Sequence, residues 1–223
     1  MVALFVATLF IGFIMVDLIV QKVEALRAAR SAAALAAQNA LESWITVPEG
    51  VRLSKGHSWS LPLQEGTVRA GADALVAKAL GSISRVTLPA VGEWVEAGAP
   101  LSRLELAGHT VTITSPVGGR ISAVNHELKS RPELVATDPY GKGWVCSIAQ
   151  VAPQDRAAHF GREAVLWMES EVERLREFLS ARLYPGFKLG VTSQDAGPPM
   201  PGALAQFDVD AWAAFENEFT QHL

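Results

Sequence analysis

The chain opens on an almost unbroken apolar run. Residues 2–20, VALFVATLFIGFIMVDLIV, hold one charged side chain, Asp17. Neither glycine nor proline occurs from residue 13 to residue 47, and the alanine-rich VEALRAARSAAALAAQNALES that follows has high helix propensity. The pattern predicts one long helix to about residue 43. As a helix, residues 2–20 reach about 28 Å, close to the ~30 Å of a hydrocarbon core. A transmembrane helix over 1–21 and a helical extension over 22–46 are therefore expected. A cleaved signal peptide is the rival, but it needs basic residues ahead of the apolar run, and none precedes it. The stretch ALAAQ at 34–38 looks like a cleavage site, yet it lies behind Lys22, Arg27 and Arg30. Those basic residues follow the span, which predicts a single-pass membrane protein with its N-terminus outside and its main domain cytoplasmic. Asp17 then either reaches the membrane interface or contacts a partner helix. Thr8 and Gly12, four apart, permit close helix packing.

Pro48 and Gly50 end this pattern. From there to about residue 150, short apolar runs alternate with turn signals: EGT at 65, AVGEW at 90, EAGAP at 96 and PVGGR at 116. The stretch VTITSP alternates with period two. Many short strands follow, hence a mainly β domain over 47–150 built as a small sandwich or barrel. One exception, ADALVAKALG at 72–81, reads as a short helix closed by Gly81.

Beyond the β region, 151–190 is read as an amphipathic helical segment, with the helix over 155–184. Val165, Met168, Val172, Leu175, Leu179 and Leu183 keep a steady three-four spacing. Residues 191–206, VTSQDAGPPMPGALAQ, form a Pro/Gly linker without periodicity. Residues 207–223 make a last short helix. Its Phe207, Trp212, Phe215 and Phe219 are heavy for an exposed tail and need a surface to cover them, in this chain or another.

Charge and chemistry narrow the function. The net charge is −4 and there is no basic block, which argues against a nucleic-acid partner. The single cysteine, Cys146, excludes an intrachain disulfide. His109 makes no ligand spacing with His57, His126, His159 or His222. No nucleophile–base pair, phosphate loop or paired-acid motif is legible. The chain is expected to be no enzyme, with no catalytic residue, metal or cofactor and no small-molecule substrate.

Several irregular motifs now fall in order: VPEGVRLSKGHSW, then GTVRAGADALVAKALGSISRVTLPAVGEWVEAGAPL, then SPVGGRISAVNHEL and PELVATDPYGKGWVCSI. Together they resemble the glycine cleavage H protein, a relative of lipoyl and biotinyl carrier domains, over roughly residues 47–150. The resemblance implies a barrel-sandwich hybrid fold, flanked here by the transmembrane helix and the C-terminal helices. In that family a lysine on an exposed hairpin carries lipoate to partner enzymes, within Glu-Ser-x-Lys-x-x-Ser followed closely by Ser-Pro. Aligning on Ser115 and Pro116 places Glu105 on the family's glutamate, Leu106 on its serine and Gly108 on its lysine. Glycine has no amine to acylate, and the nearest lysines are Lys78 and Lys129. The resemblance therefore implies a carrier fold without its attachment residue.

The leading expectation is a non-catalytic, membrane-anchored structural adaptor that docks other protein subunits of a membrane complex, respiratory or otherwise redox. The second is a regulator that mimics a lipoyl carrier and binds lipoyl-dependent enzymes. Asp17, Glu105, Gly108, His109, Trp212, Phe215 and Phe219 are the candidate interaction residues under these readings.

Overall fold

The computed structural model describes residues 2–149, 159–183 and 199–221, with side chains from Gly12 onward except those of Ala37, Glu65 and Leu183. The remaining parts of the predicted 151–190 segment and of the 191–206 linker lie outside the described residues, as does the Thr8 side chain. Two compact units are present, Met1–Glu42 and Ser43–Leu223.

The first unit is formed by helix α1, Val2–Ile45, which continues into the second unit through its last turn. Asp17 is exposed on it and accepts a hydrogen bond from Gln21 Nε2 at 2.8 Å, one turn away. Among the described residues no helix is long and apolar enough to cross a membrane. That overturns the expected single-pass anchor and the localisation drawn from it. From Gly12 onward the apolar stretch closes at Val20, and Lys22, Glu24, Arg27 and Arg30 follow within three turns.

The second unit holds a body of two antiparallel sheets. Strands β1 (Arg52–Leu53), β2 (Ser58–Pro62), β3 (Thr67–Ala72), β5 (Trp94–Val95), β8 (Gly119–Val124), β9 (Cys146–Ala149) and β10 (His159–Phe160) form one sheet in the order β10-β1-β2-β3-β9-β8-β5. Strands β4 (Arg85–Thr87), β6 (Pro100–Leu106) and β7 (His109–Thr114) form the other, in the order β4-β6-β7. Alternation sets which side chains enter the core. In β7, Val111 and Ile113 are fully buried while Thr110, Thr112 and Thr114 turn outward. In β6 the period breaks at a bulge between Pro100 and Ser102, so neighbouring Leu101 and Ser102 are both buried before Leu104 and Leu106 resume the alternation. Leu53, Trp59, Leu104, Ile113, Ile121 and Ile148 are among the side chains that close the core.

Helix α2 (Ala74–Leu80) is buried on every side except at Lys78. The Asp73 carboxylate caps it, accepting the Val76 N–H at 3.1 Å. Gly81 ends it at φ +73, and a Cβ there would lie 2.6 Å from Gly202 Cα. Only glycine admits that conformation and that approach together. Lys78 donates to the Ser43 carbonyl and sits 5.9 Å from the ring centroid of buried Trp44; burial draws its pKa down.

After the short α3 (Leu134–Thr137) comes α4 (Gly161–Leu183), which starts later than the predicted 155 because His159 and Phe160 pair with β1 as a strand. Ala164, Met168, Val172, Leu175, Phe178 and Leu179 make its buried face. Helix α5 (Val209–Phe215), capped by Asp208, runs on into a π turn, Glu216–Thr220.

Candidate functional site

The β6–β7 hairpin is joined by two residues. Ala107 has φ 50 and Gly108 φ 85, the paired positive values of the tight hairpin turn that matches strand twist. No heavy atom comes within 4 Å of a Cβ built on Gly108, so the tip stands in open space. Glu105, half-buried opposite Thr110, lies 3.6 Å from Arg85 Nε on β4. His109 does not stand free at the tip. Its ring stacks on Trp212 of α5, with centroids 4.7 Å apart and planes 4° from parallel.

The surface that covers the terminal aromatics belongs to this chain. Trp212, Phe215 and Phe219 are all buried, and Phe215 and Phe219 pack with Phe178 of α4. The π turn reaches back to the hairpin, where the Glu216 carboxylate accepts the Thr112 N–H at 2.8 Å. Arg174 of α4 donates to the Glu218 carbonyl at 2.7 Å and lies over the Phe219 ring.

A second constellation went unread in the sequence. His57, with no exposed surface and φ 53, sits between Asp73 Oδ2, 2.7 Å from Nδ1, and Glu171 Oε2, 3.2 Å from Nε2. Trp167 stacks on its ring at 5.0 Å. Burial works against the charged imidazolium, but Asp73 and then Glu171 outweigh it and raise the pKa to about 9. The imidazolium donates to both carboxylates and neutralises part of their buried charge. Glu171 also takes Arg174 Nη1 at 3.1 Å. The legible signal was Glu171 itself, an acid set into the apolar stripe between Met168, Val172 and Leu175; its partners, 98 to 114 positions earlier in the chain, were not readable from spacing.

Two antiparallel sheets, one of them ending in a short-turned hairpin with an exposed tip, define a mainly β domain. The glycine cleavage H-protein family model matches residues 51–165. A glycine cleavage system H protein of Coprothermobacter proteolyticus is 39% identical over 102 residues, covering 46% of this chain and 80% of that protein. One from Klebsiella pneumoniae is 41% identical over 125 residues, covering 54% and 95%. The crystal structure of a glycine cleavage system H protein from Mycobacterium marinum superposes with a TM-score of 0.49 at 30% identity, over 54% of this chain and 98% of the other. The chain belongs to the glycine cleavage H-protein family.

That membership corrects the functional expectation. The relatives are named as H proteins of the glycine cleavage system, not as structural pieces of a membrane assembly. The membrane-adaptor reading gives way, together with its respiratory setting and the carrier-mimic regulator set beside it. What stands is membership of a family whose named relatives belong to the glycine cleavage system.

Proposed function

We propose that this protein works with the other protein subunits of a glycine cleavage-type system, and that its hairpin stands without the lysine that would bear a lipoyl arm. The carrying observation is the hairpin itself: its turn is Ala107–Gly108, and the chain has no lysine between Lys78 and Lys129. A lipoyl group needs a primary amine free to form its amide. The candidates nearest in sequence do not fit. Lys78 is half-buried and engaged with the Ser43 carbonyl, and Lys129 lies at the end of a turn beyond β8. The hairpin then acts through its backbone, through Glu105 and through the shape of its tip, rather than by swinging a cofactor between sites.

Intact-mass spectrometry of the full chain, isolated from cells supplied with lipoate and a lipoate ligase, tests the missing arm. The expected mass is that of the unmodified chain; an added lipoyl group overturns the reading. Capture of the Klebsiella pneumoniae glycine cleavage subunits on the immobilised full chain tests the partnership, and no retention of any subunit would count against it.

A further inference from the structure

A half-open cleft of about 160 Å³ lies at the end of β6 away from the hairpin turn and is lined from both sheets. Two of the strands that line it are irregular there. β6 bulges between Pro100 and Ser102, and β8 shifts register between Ile121 and Ala123. Bulges re-aim side chains and are frequent beside active sites. Here the β6 bulge leaves Leu101 and Ser102 both buried, and Arg103 follows them exposed at the rim. Leu101, Val95 and Ile121 are buried and make an apolar floor. The Ser102 hydroxyl is already used, since it donates to the Thr87 carbonyl at 2.9 Å.

Two opposite charges complete the lining. The Arg103 guanidinium makes no ion pair or hydrogen bond among the described residues. The Glu93 carboxylate is steadied from one side only: Oε2 accepts the Ala90 N–H at 3.2 Å, and Oε1 is left open. A guanidinium pairs a carboxylate through two parallel N–H donors, and a carboxylate accepts from an ammonium. An apolar floor takes a hydrocarbon side chain. One small molecule carries all three groups, an α-amino acid with an aliphatic side chain. The cleft is small beside the ~300 Å³ at which drug-sized sites begin, which fits that class. We propose that this cleft binds a free aliphatic α-amino acid, with its carboxylate on Arg103, its ammonium on Glu93 and its side chain over Leu101 and Ile121. The cleft lies apart from the hairpin tip, so the site does not rest on the partnership proposed above.

Titration of the full chain with L-leucine, followed by backbone amide chemical shifts, tests the site. The expected result is a saturable shift centred on the cleft residues, Thr87, Val95, Arg103 and Ile121 among them. Isocaproate, which lacks the ammonium, and isoamylamine, which lacks the carboxylate, should each bind about tenfold more weakly, the loss of one charge-assisted contact. Arg103→Gln should weaken L-leucine about tenfold and leave isoamylamine unchanged. Glu93→Gln should weaken L-leucine about tenfold and leave isocaproate unchanged. Both side chains are exposed, so both variants keep the fold, and their amide spectra without ligand check this. No saturable shift with L-leucine overturns the proposal, and so does a shift centred elsewhere. Binding of isocaproate or isoamylamine as tight as that of L-leucine overturns the amino-acid assignment. Unaltered L-leucine binding in either variant overturns the role given to that residue.

Discussion

The ring of His57 joins two carboxylates from separate parts of the chain, Asp73 at 2.7 Å and Glu171 at 3.2 Å. Asp73 heads α2 in the β body, and Glu171 belongs to α4, beyond the residues matched by the family. One buried cation therefore ties α4 to the body that holds Asp73.

That tie has a pH signature. The folded-state pKa of His57 is raised to about 9, against an unfolded value of about 6.5. A raised histidine pKa means a contribution fully present below the unfolded value and lost as pH rises through the folded one. Stability should fall by about 3 kcal/mol between roughly pH 6.5 and 9, less whatever other groups contribute. Urea unfolding at successive pH values checks this, and His57→Gln should flatten the slope in that window. An unchanged slope in the variant would assign the pH dependence elsewhere.

The two carboxylates should not be equivalent. Asp73 both caps α2 through Val76 N–H and faces His57, so Asp73→Ala should cost about 3–5 kcal/mol. Glu171→Gln keeps an acceptor beside the ring and should cost about 1–2 kcal/mol. Denaturant midpoints of the two variants give the order; a larger loss for Glu171→Gln would contradict the assignment.

Two glycines at positive φ should differ sharply. A Cβ at Gly81 would lie 2.6 Å from Gly202 Cα, whereas one at Gly202 would come no closer than 3.8 Å to Gly81 Cα. Gly202→Ala should cost about 1 kcal/mol, from the left-handed conformation alone. Gly81→Ala should cost roughly twice that or more, because backbone must move. Thermal melts of the two variants measure the gap, and equal losses would mean that residues 81 and 202 do not meet so closely in solution.

Gly108→Lys asks whether the hairpin still has the form of a carrier. The space around a Cβ is open, and only the positive φ opposes a side chain, at about 1 kcal/mol. The variant should fold and gain a lipoyl group from lipoate ligase, seen as a mass increase absent from the unaltered chain. A folded variant that remains unmodified would show that the flanking residues, Leu106 and Ala107 among them, have also left the carrier pattern.

Cys146 should behave as an inert core residue. It is fully buried, and burial pushes its thiol up to about 12. A thiol reagent at neutral pH should label it at the rate of unfolding and no faster; rapid labelling of the folded chain would contradict its position in β9.

The sequence by itself determined what depends on neighbours along the chain. Period-two alternation marked β7, the Gly81 signal closed α2, and the three-four spacing of apolar residues marked α4. The ordered motifs from VPEGVRLSKGHSW to GKGWVCSI were enough to point to the H-protein family, and the position of Gly108 was read by counting back from Ser115 and Pro116. The apolar opening run misled, because hydropathy and helix propensity alone do not establish a membrane address. Only the tertiary structure decided what distant residues share. The partners of His57 at 73 and 171, the stack of His109 on Trp212, and the reach of Glu216 to Thr112 join positions separated by 16 to 114 residues. No periodicity encodes such pairs; they exist because the sheets, α4, α5 and the π turn bring those side chains together, where a buried charge must find a partner and an aromatic ring a face to cover it.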